Sequence, residues 1–293
     1  MKNFYKNLLS QAEKLYRHNR QGSFKTKERY FEAYKRFLHF VGDVYHLQKL
    51  QSISGRHLSA YIEYMKDKGY SASTIKTDLA AIRFWHDQIP NAKYVLPTNN
   101  EFLLERRKFG GVDRTWSMGE FNRMISECWK AKRLDYASCI TLARYAGLRL
   151  HEVLRIDTAI ARKAIKNGFL TIKGKGGKIR EVPINESVIA VLNEALETTP
   201  QGYKLFVQKD KQTHIAKAEL QNFIASKRKY DCDQSSSRNL TFHGLRHTCA
   251  VEWYREFVAN GLSDHQAKLK VSKLLGHERE DVTRIYLASL DDT

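Results

Sequence analysis

The amino-acid sequence predicts a two-domain protein of the α+β class, mainly helical with one small β-hairpin. Its 293 residues correspond to about two domains of roughly 150 residues each. Apolar residues recur with the helical period along much of the chain, and a single pair of β-rich runs surrounds a glycine-dense turn. Two domains of this size can each bury a core without disulfides or structural metals.

Three apolar stripes predict helices in the first hundred residues. Ser54 precedes the second stripe and Gly69 follows it, while either Ser73 or Thr74 is positioned to cap the third helix. We interpret the stripes as the core of the first domain. In chain order they are Tyr30, Tyr34, Phe37, Leu38 and Val41; then Leu58, Tyr61, Ile62 and Met65; then Ile75, Leu79, Ile82 and Trp85.

A linker separates these helices from the rest of the chain. Between residues 90 and 116 the periodicity fades into a stretch with two prolines, an Asn pair and a Gly pair. Ser117 and Glu120 then have the spacing of a capping box, which opens a new helix. We therefore predict a helical N-terminal domain over 1–104, linker included, and a second domain over 105–293.

The second domain combines helices with one β-hairpin. Residues 169–172 and 179–184 are rich in β-formers and flank the turn 173–178, which contains three glycines. Apolar residues at helical spacing return after the hairpin. They predict helices over 186–197, 214–229, 244–260 and 263–275.

The charge balance points to a polyanionic partner. Fifty Lys and Arg face 32 Asp and Glu, a net charge of +18, and residues 1–100 contribute 17 and 8 of these. A surplus shared by both domains favours nucleic acid, with an anionic membrane surface as the second choice. Basic side chains on the helices of the first domain, Arg36 among them, are solvated by default, and phosphate contact is the functional alternative.

Other protein classes are excluded by composition. No run of about 18 apolar residues predicts a transmembrane helix, and the charged N-terminus lacks the apolar stretch of a signal peptide. The four cysteines form no Cys-x-x-Cys pair, which argues against a zinc ribbon or a disulfide framework. We expect a cytoplasmic protein with no membrane partner.

Three short segments combine cations, imidazoles and a hydroxyl. Taken singly, each has a plain structural explanation: an Arg-x-x-Glu is usually a helical salt bridge, and a lone tyrosine at helical spacing is usually core. The segments are Ala146-Gly-Leu-Arg149-Leu-His-Glu152, Thr241-Phe-His243-Gly-Leu-Arg246-His247-Thr248, and Leu275-Gly-His277 followed by Tyr286.

Two competing sites fail on spacing. His243 and His247 stand four apart as in a helical zinc site, but Gly244 replaces the catalytic glutamate of His-Glu-x-x-His. The turn at 174–178 is similar to a phosphate-binding loop, yet Ile179 stands where Ser or Thr should hold magnesium. We expect neither a metal nor a cofactor.

Taken together, these motifs resemble the tyrosine recombinases, the family of phage-type integrases, Xer recombinases and Cre. Ala-Gly-Leu-Arg149-x-x-Glu152, the Gly-Lys175-Gly hairpin, His243-x-x-Arg246-His247-Thr and Leu-Gly-His277-x8-Tyr286 occur in the family's order. The match covers nearly the whole second domain. The N-terminal helices are similar, more weakly, to the family's SAM-like core-binding domain.

The resemblance implies an electrostatic site for a DNA phosphodiester. Arg149 and Arg246 would clamp the nonbridging oxygens with rigid, permanently charged forks. His243 and His277 would add hydrogen bonds to the charge that develops on those oxygens. This assembly needs no metal.

The remaining family positions supply the reacting groups. Tyr286 would be the nucleophile and form a 3′-phosphotyrosine, while Lys175 would protonate the departing 5′ oxygen. Glu152 would orient the site through hydrogen bonds. We expect His247 to be structural.

The implied function is site-specific DNA recombination without ATP or a metal cofactor. The two domains would clamp duplex DNA at inverted-repeat core sites, and four protomers would assemble on two duplexes. Integration or excision of a mobile element and resolution of dimers or cointegrates all remain open. The alternatives are a type IB topoisomerase-like relaxing enzyme, or a catalytically silent DNA-binding protein that should lack some of the six key residues.

The segment after Tyr286 departs from the family pattern. Residues 287–293 are few, whereas many relatives carry a further helix that docks on a neighbouring subunit. We therefore expect a monomer in free solution that assembles only on DNA. The length also leaves no room for the arm-site domain of the larger phage integrases.

Overall fold

A computed structural model shows a mainly helical chain with one small antiparallel sheet, as the sequence predicts. The chain divides into two compact units, Met1–Lys108 and Phe109–Thr293. Among the described helices, none combines the length and the apolar character that a membrane span requires. The structure describes residues 3–21, 23–106, 112–174, 177–231, 239–276 and 286–287.

The described part of the first unit contains four α-helices, and the three predicted stripes lie on the last three of them. Ser54 lies immediately before the third helix as predicted. The helix that carries the third stripe begins earlier than predicted. Its cap is Ser71, whose hydroxyl accepts the Thr74 N–H, and Ser73 and Thr74 both lie inside the first turn. The helices are α1 (Asn3–His18), α2 (Phe24–Tyr45), α3 (Gly55–Asp67) and α4 (Ala72–His86).

The predicted stripes bury their side chains around Trp85, which is inaccessible to solvent. The exception is Tyr30, which is only partly buried and packs against the core. A buried carboxylate, Asp78, accepts hydrogen bonds from Arg36 at 2.8 Å and from the Tyr61 hydroxyl at 3.1 Å. Arg36 is therefore not simply solvated, because it neutralises a charge that would otherwise be costly to bury.

The second unit contains eight described helices and the hairpin. The predicted capping box is present, with Ser117 and Glu120 bonding each other's backbone N–H. The four helices predicted after the hairpin are confirmed within three residues at each end. The helices are α5 (Met118–Lys130), α6 (Leu134–Ala146), α7 (Leu150–Val153), α8 (Thr158–Asn167), α9 (Glu186–Thr198), α10 (Thr213–Asp231), α11 (Phe242–Ala259) and α12 (Asp264–Leu275).

The hairpin pairs β1 (Phe169–Lys173) with β2 (Ile179–Pro183). The strands are antiparallel, and Ile172 lies opposite Arg180. Side chains alternate between the two faces of a strand, so Arg180 shares a face with the fully buried Val182. The register thus directs a cation towards the interior of the unit.

Helix α6 is the centre of the second unit, packed against α5, α9 and α11. Its C-terminal residue is followed by Gly147, which has φ +57°. A Cβ at this position would lie 3.2 Å from the Trp253 ring and 3.3 Å from the Cys249 sulfur. Glycine is therefore needed both for the left-handed conformation and for the close approach of α11.

The N-terminal turn of α11 is fixed by the segment that precedes α5. The Trp116 backbone N–H donates to the Thr248 hydroxyl at 2.8 Å, and its indole N–H donates to the Thr241 carbonyl at 3.0 Å. Gly244 lies directly beneath this segment. A Cβ there would overlap the Arg114 carbonyl oxygen, which is backbone and has little freedom to move.

We predict that Gly244→Ala destabilises the second unit by about 1–3 kcal/mol, the usual cost of overpacking. Gly119→Ala is the matched control, because the atom nearest to a Cβ there is the flexible end of Arg123, at 3.2 Å. Alanine in this exposed helical position should leave stability unchanged or raise it by about 0.5–1 kcal/mol. Urea denaturation of the full chain measures both, and equal effects at the two glycines would contradict the packing argument.

Candidate functional site

Five of the seven predicted site residues lie among the described residues, and all five belong to the second unit. Lys175 and His277 lie outside the described residues. The other five come from three places in the chain: the turn that leads into α7, the first turns of α11, and the short described segment at Tyr286. These are Arg149, Glu152, His243, Arg246 and Tyr286.

The Glu152 carboxylate lies at the base of the site, with 1% of its side chain exposed. It accepts the Arg149 backbone N–H at 2.8 Å and the Arg149 Nη1 at 3.0 Å. Both terminal nitrogens of Arg180 also donate to it, at 2.9 and 2.7 Å. Two cations thus share one buried anion.

These contacts decide the protonation of Glu152. Burial alone would raise its pKa, but the hydrogen bonds from Arg180 and from the Arg149 backbone outweigh burial and lower the pKa to about 2. The carboxylate is therefore ionised throughout the physiological range. It holds Arg149, which is only partly exposed, in a fixed position at the surface.

Arg246 is completely buried and ties two helix ends together. It donates to the carbonyl of Gly147, after α6, and to the carbonyl of Leu275, at the end of α12. Burial, together with repulsion from Arg149, lowers its pKa to about 10. The guanidinium still carries a full charge at neutral pH, and it lies 5.5 Å from the centre of the Tyr286 ring.

His243 and Tyr286 are hydrogen-bond partners. The Tyr286 hydroxyl lies 3.2 Å from the His243 Nε2. Shielding of the ring from water lowers the pKa of His243, and the neighbouring charges of Arg246 and Arg149 lower it further. A neutral imidazole is therefore available to accept the tyrosine proton at neutral pH.

His247, expected to be structural, stacks on the Tyr286 ring with centroids 4.4 Å apart and an angle of 30° between the planes. It is 2% exposed. Burial, followed by the charges of His243 and Arg114, lowers its pKa to about 3. Across the described part of the chain, no group of three or more metal-ligating side chains is assembled.

Sequence reasoning missed Arg180. Its side chain is 8% exposed and bridges Glu152 and the Leu274 carbonyl, to which its Nε donates at 2.9 Å. The signal was present in the strand alternation, because Arg180 shares a face with Val182 and lies opposite the buried Ile172. A charged residue at a core position of a hairpin indicates a buried partner.

A basic cleft of about 710 Å³ opens beside Arg149. Its lining includes five cations and one anion, Glu181. The cations come from the turn that leads into α7, from the hairpin and from α12. They are Arg149, Lys178, Arg180, Lys270 and Lys273.

Two family models match the chain. The Phage integrase family model matches residues 117–292, and the model for the phage integrase N-terminal SAM-like domain matches residues 13–88. Among curated relatives, tyrosine recombinase XerC of Natranaerobius thermophilus is 23% identical, over 89% of this chain and 87% of the relative. Tyrosine recombinase XerD of Staphylococcus saprophyticus is 27% identical, over 87% and 85%.

Solved structures share the fold. A lambda integrase dimer bound to a COC′ core site has a TM-score of 0.65 at 14% identity, covering 95% of this chain and 76% of that one. The XerH recombinase bound to a palindromic difH substrate has a TM-score of 0.64 at 20% identity, covering 94% and 80%. At these identities the likeness concerns the fold alone.

We predict that His247 makes folding pH-dependent. Its pKa is lowered from about 6.5 in the unfolded chain to about 3, so the unfolded state binds the extra proton. The contribution of this ring to the free energy of unfolding is therefore fully present above pH 6.5. Below pH 6.5 the contribution decreases as the pH falls, by at most about 1.4 kcal/mol per pH unit. The lowered pKa values of Glu152 and His243 add a pH dependence of their own in this range, and it is present with or without His247.

The comparison is with His247→Phe, which keeps an aromatic ring beside Tyr286 and removes the titration. Free energies of unfolding at several pH values should show a smaller slope for this variant between pH 6.5 and 4.5. Parallel curves for the two proteins would show that His247 is not held neutral in the folded state.

Proposed function

We propose a mechanism for this chain from one premise: it belongs to the phage integrase family, and it is a site-specific tyrosine recombinase. The observation that carries the mechanism is that the Tyr286 hydroxyl lies 3.2 Å from His243 Nε2, with the Arg246 guanidinium 5.5 Å from the centre of the same ring. The charge of Arg149 acts on both His243 and Arg246. In this proposal Tyr286 is the nucleophile, and Arg149 and Arg246 stabilise the phosphate that it attacks. His243 accepts the tyrosine proton and, once protonated, donates a hydrogen bond to the same phosphate.

The first step joins protein to DNA. The Tyr286 oxygen attacks the scissile phosphorus, a tyrosine–phosphorus bond forms, and the bond from phosphorus to the 5′ oxygen breaks. The tyrosine proton passes to the neutral His243, which already lies within hydrogen-bond distance. The product is a 3′-phosphotyrosine and a free 5′ hydroxyl, which receives its proton from Lys175.

The two arginines stabilise the charge that attack places on the nonbridging oxygens. Arg246 is fixed in advance by two backbone carbonyls, and Arg149 is fixed by Glu152. Because neither cation must reorganise when the charge develops, their contribution is large. A 5′ hydroxyl from another strand then attacks the phosphotyrosine, reverses the chemistry and releases the enzyme without ATP, a metal or any other cofactor.

The proposed substrate is duplex DNA with inverted-repeat core sites. The net charge of +18 and the basic cleft beside Arg149 support it. Residues 1–104 would form the core-binding domain and its linker, and residues 105–293 the catalytic domain. The proposed location is the bacterial cytoplasm, on the nucleoid.

Assembly on DNA is part of the proposal. Four protomers would hold two duplexes and exchange strands in pairs, and a lambda integrase tetramer bound to a Holliday junction has a similar fold. Integration, excision and resolution all use this chemistry. A type IB topoisomerase-like reaction would instead relax supercoiled DNA that lacks specific sites, so a relaxation assay on such DNA separates the two activities.

We predict that Tyr286→Phe abolishes covalent chemistry and leaves DNA affinity within about twofold, because the phenyl ring keeps the stacking on His247 and loses only the hydroxyl. A nicked suicide substrate should give a denaturation-resistant adduct with the unchanged protein and none with the variant. Tyr254→Phe, whose hydroxyl bonds Asp264 on α12, should form the adduct normally. An adduct in Tyr286→Phe, or its loss in Tyr254→Phe, would refute the assignment of the nucleophile.

We predict that Lys175→Ala is rescued by a better leaving group. A general acid is needed only while the departing oxygen is poor at leaving, and sulfur at the bridging 5′ position removes that need. The variant should cleave ordinary DNA on the order of 10²-fold more slowly and the sulfur substrate at nearly the normal rate. Lys173→Ala and Lys178→Ala serve as hairpin controls, and selective rescue of either would assign the acid to that lysine.

A further inference from the structure

Arg180 connects three elements of the site with one side chain. It stands on β2, donates through two nitrogens to Glu152 on α7, and donates through the third to the Leu274 carbonyl near the end of α12. We propose that Arg180 is a positioning residue for phosphoryl transfer, which holds Glu152 ionised and thereby fixes Arg149 at the scissile phosphate. This inference rests on the proposed function.

The geometry assigns Arg180 to positioning and not to contact with DNA. All three of its nitrogens donate within the protein, at 2.7 to 2.9 Å, and only 8% of the side chain is exposed. Arg246 is also buried, but its guanidinium lies beside the proposed nucleophile, 5.5 Å from the centre of the Tyr286 ring. The two bonds to Glu152 are the parallel, bidentate arrangement that an arginine forms with a carboxylate. A lysine has one nitrogen and cannot occupy both oxygens and the carbonyl together.

Glu152 depends on Arg180 because its partners come from two sides. The Arg149 backbone N–H and side chain supply one donor to each carboxylate oxygen, and Arg180 supplies the other donor to each. Arg246, on α11, adds a favourable charge at longer range. Without Arg180 the carboxylate would remain buried with half of its donors removed, and a proton would replace them.

Loss of the charge on Glu152 would release Arg149. An ionised carboxylate attracts the Arg149 guanidinium, which donates to it at 3.0 Å, whereas a protonated acid lacks the charge that holds the guanidinium there. The arginine would then fail to meet the phosphate in a fixed place, which lowers the rate more than the affinity. The effect should therefore appear in single-turnover cleavage and should depend on pH.

The end of α12 is held by the same side chain. A Cβ at Gly276, which has φ +69°, would lie 3.0 Å from the Arg180 Cδ. Glycine at this position allows Arg180 to pass close to the backbone and reach Leu274. The hairpin and the segment that leads to residue 277 are thus connected through Arg180.

The test is the pH profile of single-turnover cleavage on a nicked suicide substrate, from pH 5 to 8.5. Arg180→Gln should acquire an ionisation that the unchanged protein lacks, with the rate falling about tenfold per pH unit below the new pKa of Glu152. Arg180→Gln combined with Glu152→Gln should lack this ionisation, because no carboxylate remains to titrate. Arg180→Lys, which keeps the charge, should show it at a lower pH.

Arg144→Gln is the matched control. Arg144 is also buried, with 2% of its side chain exposed, and it pairs with Glu252 in the same unit. This variant should lose stability in thermal denaturation without a new ionisation in cleavage. The same acid-side loss in Arg144→Gln would reduce the effect to general destabilisation and overturn the proposal.

The remaining outcomes are also decisive. If the unchanged protein forms no adduct, the proposed function fails and the role of Arg180 with it. If it cleaves but Arg180→Gln and Arg180→Lys show no new ionisation, or the double variant keeps it, the proposal for Arg180 is wrong and the recombinase mechanism stands. Should Arg180→Gln not fold, the comparison of Arg180→Lys with Arg180→Lys/Glu152→Gln makes the same decision.

Discussion

The arginine cluster of the second unit depends on one buried anion, the Glu152 carboxylate. Arg149, Arg180 and Arg246 surround the Glu152 carboxylate and would repel one another without it. Removing one partner from a buried ion pair typically costs about 3–5 kcal/mol, so the cluster stays together only as a set. In the proposed mechanism the site therefore depends on an interaction that does not touch the substrate, because an acidic side chain sets the geometry of a site that would bind an anion.

Four parts of the second unit contribute groups to this cluster. Gly147 turns the chain sharply after α6 and delivers Arg149 and Glu152, α11 contributes Arg246, and β2 contributes Arg180. The end of α12 supplies carbonyl oxygens to two of the guanidinium groups. A single carboxylate cannot accept a hydrogen bond from every N–H of these guanidinium groups, so backbone carbonyls accept some of them. Helix ends supply these acceptors because their last carbonyls have no partner within the helix.

Much of this could be predicted from the sequence, and the failures have physical causes. Helix stripes and the hairpin follow from period and turn chemistry, and the order of Arg149, His243, Arg246 and Tyr286 indicated the family. Arg180 was overlooked because a lone arginine in a strand carries no motif, although the alternation around it was informative. The cap at Ser71 was misplaced because neighbouring hydroxyls compete for the same role, and only the backbone conformation decides among them.

The histidines and the arginines of the site differ in protonation at neutral pH. Burial and nearby cations lower the pKa values of His243 and His247, so imidazoles surrounded by positive charge are neutral at the pH where the arginines are charged. A neutral His243 can accept a proton, whereas a protonated one could only donate. In the proposed mechanism the arginines that stabilise the phosphate also prepare the base, because the positive field that would attract the DNA backbone keeps a proton off the ring.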